Sequence, residues 1–349
     1  MRARALGLPL TGETGRHNAI TDVPGVAVGY TTLIEGEDVR TGVTAILPRP
    51  PADVDVPCPA GWYSLNGNGE MTGTTWLTET GALRLPVLIT NTHAIGPAHR
   101  GVIDWALRAK PGLAREWLLP VVAETWDGYL NDINGPHVRP EHAIAAIDAA
   151  TTGPVEEGSV GGGTGMNCYA FKGGSGTASR IVQHGGDTYT VGAFVQANFG
   201  ARRELTVCGV PVGAALAEDN PIEDTDWRTP PGAGSIIVVI ATDAPLLPGQ
   251  CTALARRVPL GLARTGTTGS HFSGDIFLAF STATSTGDAD YEQLRFVPWH
   301  RLDPFYAAVV PAVEEAVLNA LVAARTMVGR DGHRSPGLPI DQLLSLLAN

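Results

Sequence analysis

Ser235-Ile-Ile-Val-Val-Ile-Ala-Thr242 is the strongest strand signal in the chain, with five β-branched residues in succession behind a serine. Upstream of it, Ala217–Pro231 (AEDNPIEDTDWRTPP) is acidic and proline-rich and reads as an exposed linker. Downstream, Leu247–Val258 reads as a helix and Asp275–Ser281 (DIFLAFS) as a second strand. Asp303–Val328 reads as a long helix that buries Val309, Val313, Val317, Leu318 and Leu321. On the N-terminal side, strands are expected at Ser179–His184 and Thr188–Asn198, after a flexible glycine loop at Gly158–Gly165. Earlier still, apolar runs at Gly25–Thr31, Thr44–Leu47, Val87–Thr90 and Leu118–Ala123 alternate irregularly with helical patterns at Pro97–Ala109 and Pro140–Ala150. This order lacks regular β-α-β-α alternation, so the expected class is α+β with large sheets. The strand signals on both sides of the linker are expected to share one core, making residues 1–349 a single domain.

Hydrophobic residues form 44% of the chain and charged residues 17%, the balance of a well-buried globular protein. The net charge of −11 repels phosphate, which argues against nucleic acid or an anionic membrane as a partner. The four cysteines include no C-x-x-C pair and the nine histidines no H-E-x-x-H, so neither a zinc site nor a disulfide framework is indicated. No apolar run reaches the ~18 residues of a membrane span, and the first residues lack the apolar core of a signal peptide. A cytoplasmic setting is expected. Gly161–Gly165 lacks the Gly-Lys-Ser/Thr ending of a phosphate loop; close backbone packing is the better reading.

Gly-Ser occurs four times, before Ser159, Ser175, Ser235 and Ser270, so the dipeptide carries no information by itself. Position singles out Ser235, which alone heads an apolar run and follows an accessible acidic segment. A hydroxyl there is placed to attack the preceding carbonyl, with Gly234 offering little obstruction. Hydrolysis of the resulting ester frees the α-amine of Ser235, whose ordinary pKa of about 8 makes it a base near neutrality. The plain alternative is a strand that begins after a glycine turn.

A set of segments then resembles the DmpA-like family of self-processing aminopeptidases, which includes the L-aminopeptidase/D-esterases and β-peptidyl aminopeptidases. They are Asn66-Gly-Asn-Gly-Glu-Met-Thr-Gly73, Ile89-Thr-Asn-Thr-His93, Glu124-Thr-Trp-Asp-Gly128, Gly161-Gly-Gly-Thr-Gly-Met166, Val195-Gln-Ala-Asn198, Gly234-Ser-Ile-Ile237, Ala241-Thr-Asp-Ala-Pro245 and Ser273-Gly-Asp-Ile-Phe277. The resemblance implies a four-layer α/β/β/α sandwich related to the N-terminal nucleophile hydrolases but differently connected. It implies cleavage between Gly234 and Ser235 into chains 1–234 and 235–349, and assembly of such pairs as a homotetramer. It further implies release of N-terminal residues from small peptides, amides or esters with a free N-terminal amine, without metal or organic cofactor.

Residue by residue, the resemblance makes Ser235 the nucleophile, with Ser273 and Asp275 as the second serine and its acidic partner. Asn198 matches the amide that donates to the developing oxyanion. Many relatives carry Glu in place of Asp275 and Tyr in place of Trp126; indole has only an N–H donor and cannot accept a proton. Trp126 is therefore expected in substrate binding, through its N–H or as a pocket wall, and is also readable as a buried structural tryptophan. Glu124, Asp127 and Glu70 are the candidate anions for the substrate amine, each also readable as a solvated loop carboxylate. Two rivals remain open at this point: an acyltransferase of the ornithine acetyltransferase type, whose nucleophile is threonine, and a non-catalytic scaffold that keeps the fold.

Overall fold

The computed structural model describes residues 1–224, 232–283 and 294–348. A four-stranded sheet contains β1 (Ala27–Glu35), β2 (Val39–Leu47), β5 (Val87–Asn91) and β6 (Val122–Thr125), in the order β1-β2-β5-β6. A six-stranded sheet contains β3 (Cys58–Ser64), β4 (Ala82–Leu83), β7 (Gly174–His184), β8 (Asp187–Asn198), β9 (Ser235–Thr242) and β10 (Ile276–Ser281). Its order is β4-β3-β10-β9-β8-β7, with β9 and β10 parallel and the other neighbours antiparallel.

The apolar run of β9 explains the layering. Ile237, Val239 and Ala241 face Ile89 and Ala123 of the other sheet, in a core closed by Phe194 and Leu278. Ile236, Val238 and Ile240 point the opposite way, by the two-residue period of a strand, into a helical layer. That layer holds α4 (Pro248–Ala255), α5 (Val258–Ala263) and α6 (Asp303–Ala323). On the outer face of the four-stranded sheet lie α2 (Ile95–Ala109) and α3 (Pro140–Asp148), contributing Val102, Trp105, Ala146 and Ile147 to a third core. Both faces of β9 are therefore covered, which is why its sequence is apolar throughout rather than alternating. The result is the expected α/β/β/α sandwich. Helix α6 is long and apolar enough to cross a membrane, but it packs on β7 and β8 as a core helix.

Local departures from the sequence reading have physical causes. β3 and the short helix α1 (Thr74–Thr80) were not expected; Cys58-Pro-Ala-Gly-Trp-Tyr-Ser64 holds a proline and a glycine, and tertiary pairing with β10 overrides its weak strand signal. The helix expected over Leu247–Val258 is α4, which ends at Ala255, and a separate helix, α5, begins at Val258. The long helix stops at Ala323, beyond which Met327–Val328 pairs with Arg334–Ser335. Of the expected linker, Pro221–Asp224 forms one helical turn and 225–231 lie outside the described residues. The glycine loop is not a free segment. Gly161, Gly162 and Gly163 are buried, and a Cβ on Gly162 would stand 2.2 Å from Gln196 Oε1.

Candidate active site

Antiparallel register places Ser235, first residue of β9, directly opposite Asn198, last residue of β8. Gly234 continues the chain beside Ser273 through a parallel bridge. A Cβ on Gly234 would lie 1.9 Å from the carbonyl oxygen of Asn198, so only glycine fits before the serine. Ser235 is 2% exposed and lines a cavity of about 390 Å³ shared with Glu124, Trp126, Tyr129, Asn167 and Asn198.

Around the serine the donors are dense. The Ser235 hydroxyl donates to the Gly234 carbonyl oxygen at 2.5 Å. The N–H of Gly274 lies 3.2 Å from both that carbonyl oxygen and Ser235 Oγ. Ser273 Oγ donates to Asp275 Oδ1 at 2.6 Å, and the Ile236 N–H donates to the same oxygen at 3.2 Å. Asn66, absent from the sequence-derived site, grips Asp275 twice: its Nδ2 donates to Oδ2 at 2.8 Å and its Oδ1 accepts the Asp275 N–H at 2.6 Å. Asp275 is buried, and burial pushes its carboxyl above the ordinary value against the pull of Ser273, Asn66 and the Ile236 N–H.

The amide of Asn198 has a determined orientation. Its Oδ1 accepts the Asn167 N–H at 2.8 Å, so Nδ2 must be the atom that donates to the Trp126 carbonyl at 2.9 Å. Trp126 thus contributes its backbone to the amide and its side chain to the cavity wall.

Glu124 stands at the end of β6 on the opposite sheet. Its Oε2 accepts from the Thr92 hydroxyl and its Oε1 accepts the Glu70 N–H at 2.9 Å. Burial raises its pKa, with those two donors acting in the other direction. The other two acidic candidates part company with the cavity. Asp127 is fully buried, takes Asn131 Nδ2 at 3.0 Å and does not line the cavity. The Glu70 side chain is exposed and does not line it either, and its backbone N–H is what matters. Asn66, Gly274 and Thr92 were missed although each lies inside a recognised segment: asparagine, a backbone N–H and threonine carry no charge to draw notice.

The model of peptidase family S58 matches residues 18–335. The chain is 49% identical over 366 residues to "Beta-peptidyl aminopeptidase BapA" of Sphingosinicella microcystinivorans, covering 99% of this chain and 91% of that protein. Among solved structures, the L-aminopeptidase D-Ala-esterase/amidase of Ochrobactrum anthropi superposes with a TM-score of 0.94 at 47% identity, covering 99% of this chain and 98% of that one. That protein is described as a prototype for the serine aminopeptidases and a new variant among the Ntn hydrolase fold. A Burkholderia sp. β-aminopeptidase gives a TM-score of 0.90 at 47% identity over 100% of this chain and 98% of its own. The chain belongs to peptidase family S58 and is a serine aminopeptidase of the Ntn-hydrolase type.

Proposed function

We propose that Ser235 first cuts its own chain and then serves as the aminopeptidase nucleophile. In the uncut chain Ser235 Oγ attacks the Gly234 carbonyl carbon, and the Gly274 N–H, 3.2 Å from the carbonyl oxygen, receives the developing negative charge. The Gly234–Ser235 C–N bond breaks as Oγ becomes acylated, and the proton from Oγ ends on the departing α-amine. Water then hydrolyses the ester, leaving Gly234 as a carboxylate and Ser235 as a free hydroxyl with a free amine.

In turnover that amine takes the proton of the adjacent hydroxyl as it attacks the substrate carbonyl. The second N–H of Asn198 and the N–H of Gly274 donate to the oxyanion; one such donor is worth about 3–4 kcal/mol in acyl transfer. Ser273, held by Asp275, orients the proton path, and Glu124 receives the substrate's N-terminal ammonium. The relatives' names, a β-peptidyl aminopeptidase and an L-aminopeptidase D-Ala-esterase/amidase, support a substrate class that takes in β-peptides and amino-acid amides or esters. The observation that carries this reading is the shared cavity: Ser235 on one sheet and the buried, doubly hydrogen-bonded Glu124 on the other.

Intact-mass analysis of wild type and Ser235→Ala tests it. Wild type gives two fragments of about 24 and 12 kDa from the 36.5 kDa chain, and the variant stays whole. A folded, active wild type with an intact 234–235 bond overturns it. We also infer that the cleaved pairs assemble into a homo-oligomer, four pairs by likeness to the family. Trp76, Trp117 and Leu119 line one exposed apolar surface of the kind a second copy covers, and sedimentation measures the assembly.

A further inference from the structure

Asn66 to Glu70 form a bridge between the two sheets at the site. The segment leaves β3 of the six-stranded sheet and is fastened at once to the nucleophile side. The Leu65 N–H donates to the Asp275 carbonyl at 3.0 Å and the Asn68 N–H to the Ser273 carbonyl at 3.1 Å, beside the double grip of Asn66 on Asp275. It then passes to β6 of the four-stranded sheet. There the Glu70 N–H holds Glu124 Oε1, Met71 bridges Ala123, and the Thr72 N–H donates to the Val122 carbonyl at 2.9 Å. In the middle, backbone meets backbone: a Cβ on Gly69 would lie 2.7 Å from Gly274 Cα and 3.3 Å from Glu124 Oε1.

We propose that this loop is a spacer that sets the distance between the amine anchor and the nucleophile, and thereby selects the backbone length of the residue released. Gly69, Asn66 and the Glu70 N–H are its positioning groups. The proposal rests on the reading of Glu124 as anchor and Ser235 as nucleophile. A substrate must reach both at once, and a β-amino acid differs from an α-amino acid by one methylene between its ammonium and its acyl carbon. One methylene more or less in a hydrophobic pocket is worth about 10- to 200-fold in kcat/KM, the scale against which a misfit in length is read. The loop is tied to both carboxylates, so their separation is not free to follow the substrate.

Gly69 offers the direct test because its φ lies outside the left-handed region, so alanine adds no strain in φ and acts through its close approach to the Gly274 backbone and to Glu124. The experiment compares kcat/KM for the p-nitroanilides of L-alanine and of β-homoalanine on wild type and Gly69→Ala, after intact mass has shown both to be cleaved. The added methyl wedges anchor from nucleophile, so the β-to-α ratio rises about tenfold or more; a ratio within about twofold of wild type overturns the spacer. If Gly69→Ala fails to fold or cleave, Glu70→Pro decides. It deletes the N–H that holds Glu124, and is expected to raise KM for both substrates while drawing the ratio toward one. An unchanged ratio there overturns the proposal. Glu124→Gln separates the two levels. Unchanged KM for both substrates sinks the anchor and the spacer with it, whereas raised KM with an unmoved ratio in the loop variants sinks the spacer alone.

Discussion

Two carboxylate-bearing segments, Ser273–Asp275 leading into the six-stranded sheet and Glu124–Gly128 leaving the four-stranded sheet, do different work. In the first, one short carboxylate is surrounded by donors from Ser273, Asn66 and Ile236, all within 3.2 Å. In the second, two carboxylates three residues apart go opposite ways, Glu124 into the cavity and Asp127 into the interior. Burial raises the pKa of all three carboxylates, and they differ in where they point and in which donors oppose that rise. Proximity in sequence to the recognised motif decides nothing.

The largest effect that tests this contrast belongs to Asp275. Asp275→Asn keeps the size of the side chain but replaces an acceptor oxygen with a donor that faces the Ser273 hydroxyl, the Ile236 N–H or Asn66. Self-cleavage and turnover should both slow by about 10²–10⁴-fold, the range for losing a proton-handling group. Single-turnover cleavage followed on gels, beside kcat for an amino-acid anilide, measures both. A loss below about tenfold in each would reduce Asp275 to a structural residue.

Glu124→Gln comes next and changes a different parameter. A hydrogen bond to a charged group is worth about 1.5–3 kcal/mol, so KM should rise by roughly 10- to 100-fold with kcat nearly constant, the signature of binding shared by ground and transition states. The preference for free over N-acetylated amines should collapse with it. Because burial raises the pKa of Glu124, wild-type KM should climb as pH falls through that elevated value, and the variant should lose this acid-side dependence. An acid limb that survives in Glu124→Gln would assign the titration to another group.

The nucleophile's half of the site was legible because it is written in local pattern. A β-branched run, a serine at its head and Ser-Gly-Asp before the next strand appear as recognisable strings. The layering also followed, since a strand apolar on both faces must be covered on both. The anchor's half was only partly legible. Glu124 and Asp127 are both buried and differ in whether they line the cavity, a difference held by Thr92, Glu70 and Asn131, two of which lie more than thirty residues away in sequence. The same applies to Asn66, whose role exists only because Asp275 folds against it 209 residues later. The glycines at 161–163 read as flexible from composition, and only the packed sheets show that their missing side chains make room for Tyr30, Thr44 and Gln196.

The smallest predicted effect falls on stability rather than rate, and it completes the comparison of the two aspartates. Burial raises Asp127 to about 7 from an ordinary 3.8, with its bond from Asn131 opposing the rise only in part. In that interval the folded chain holds a proton that the unfolded chain releases, so stability falls as pH rises from about 4 to about 7. Asp127→Asn removes the ionisable group while Oδ1 can still accept from Asn131. Thermal stability at about pH 4 should be unchanged, and above pH 7 the variant should melt a few degrees higher, with activity kept within a few-fold. Glu157, raised likewise to about 7 by burial, tilts both proteins equally and cancels in the difference. Lys172 is pushed down to about 7 by burial, against the opposing charge of Asp127, so its own stabilising slope lies above that value and Asp127→Asn lowers it further. Parallel melting curves for wild type and variant between about pH 4 and 7 would mean that the interior solvates Asp127 better than its neighbours account for. A large loss of kcat instead would return Asp127 to the active site beside Asp275.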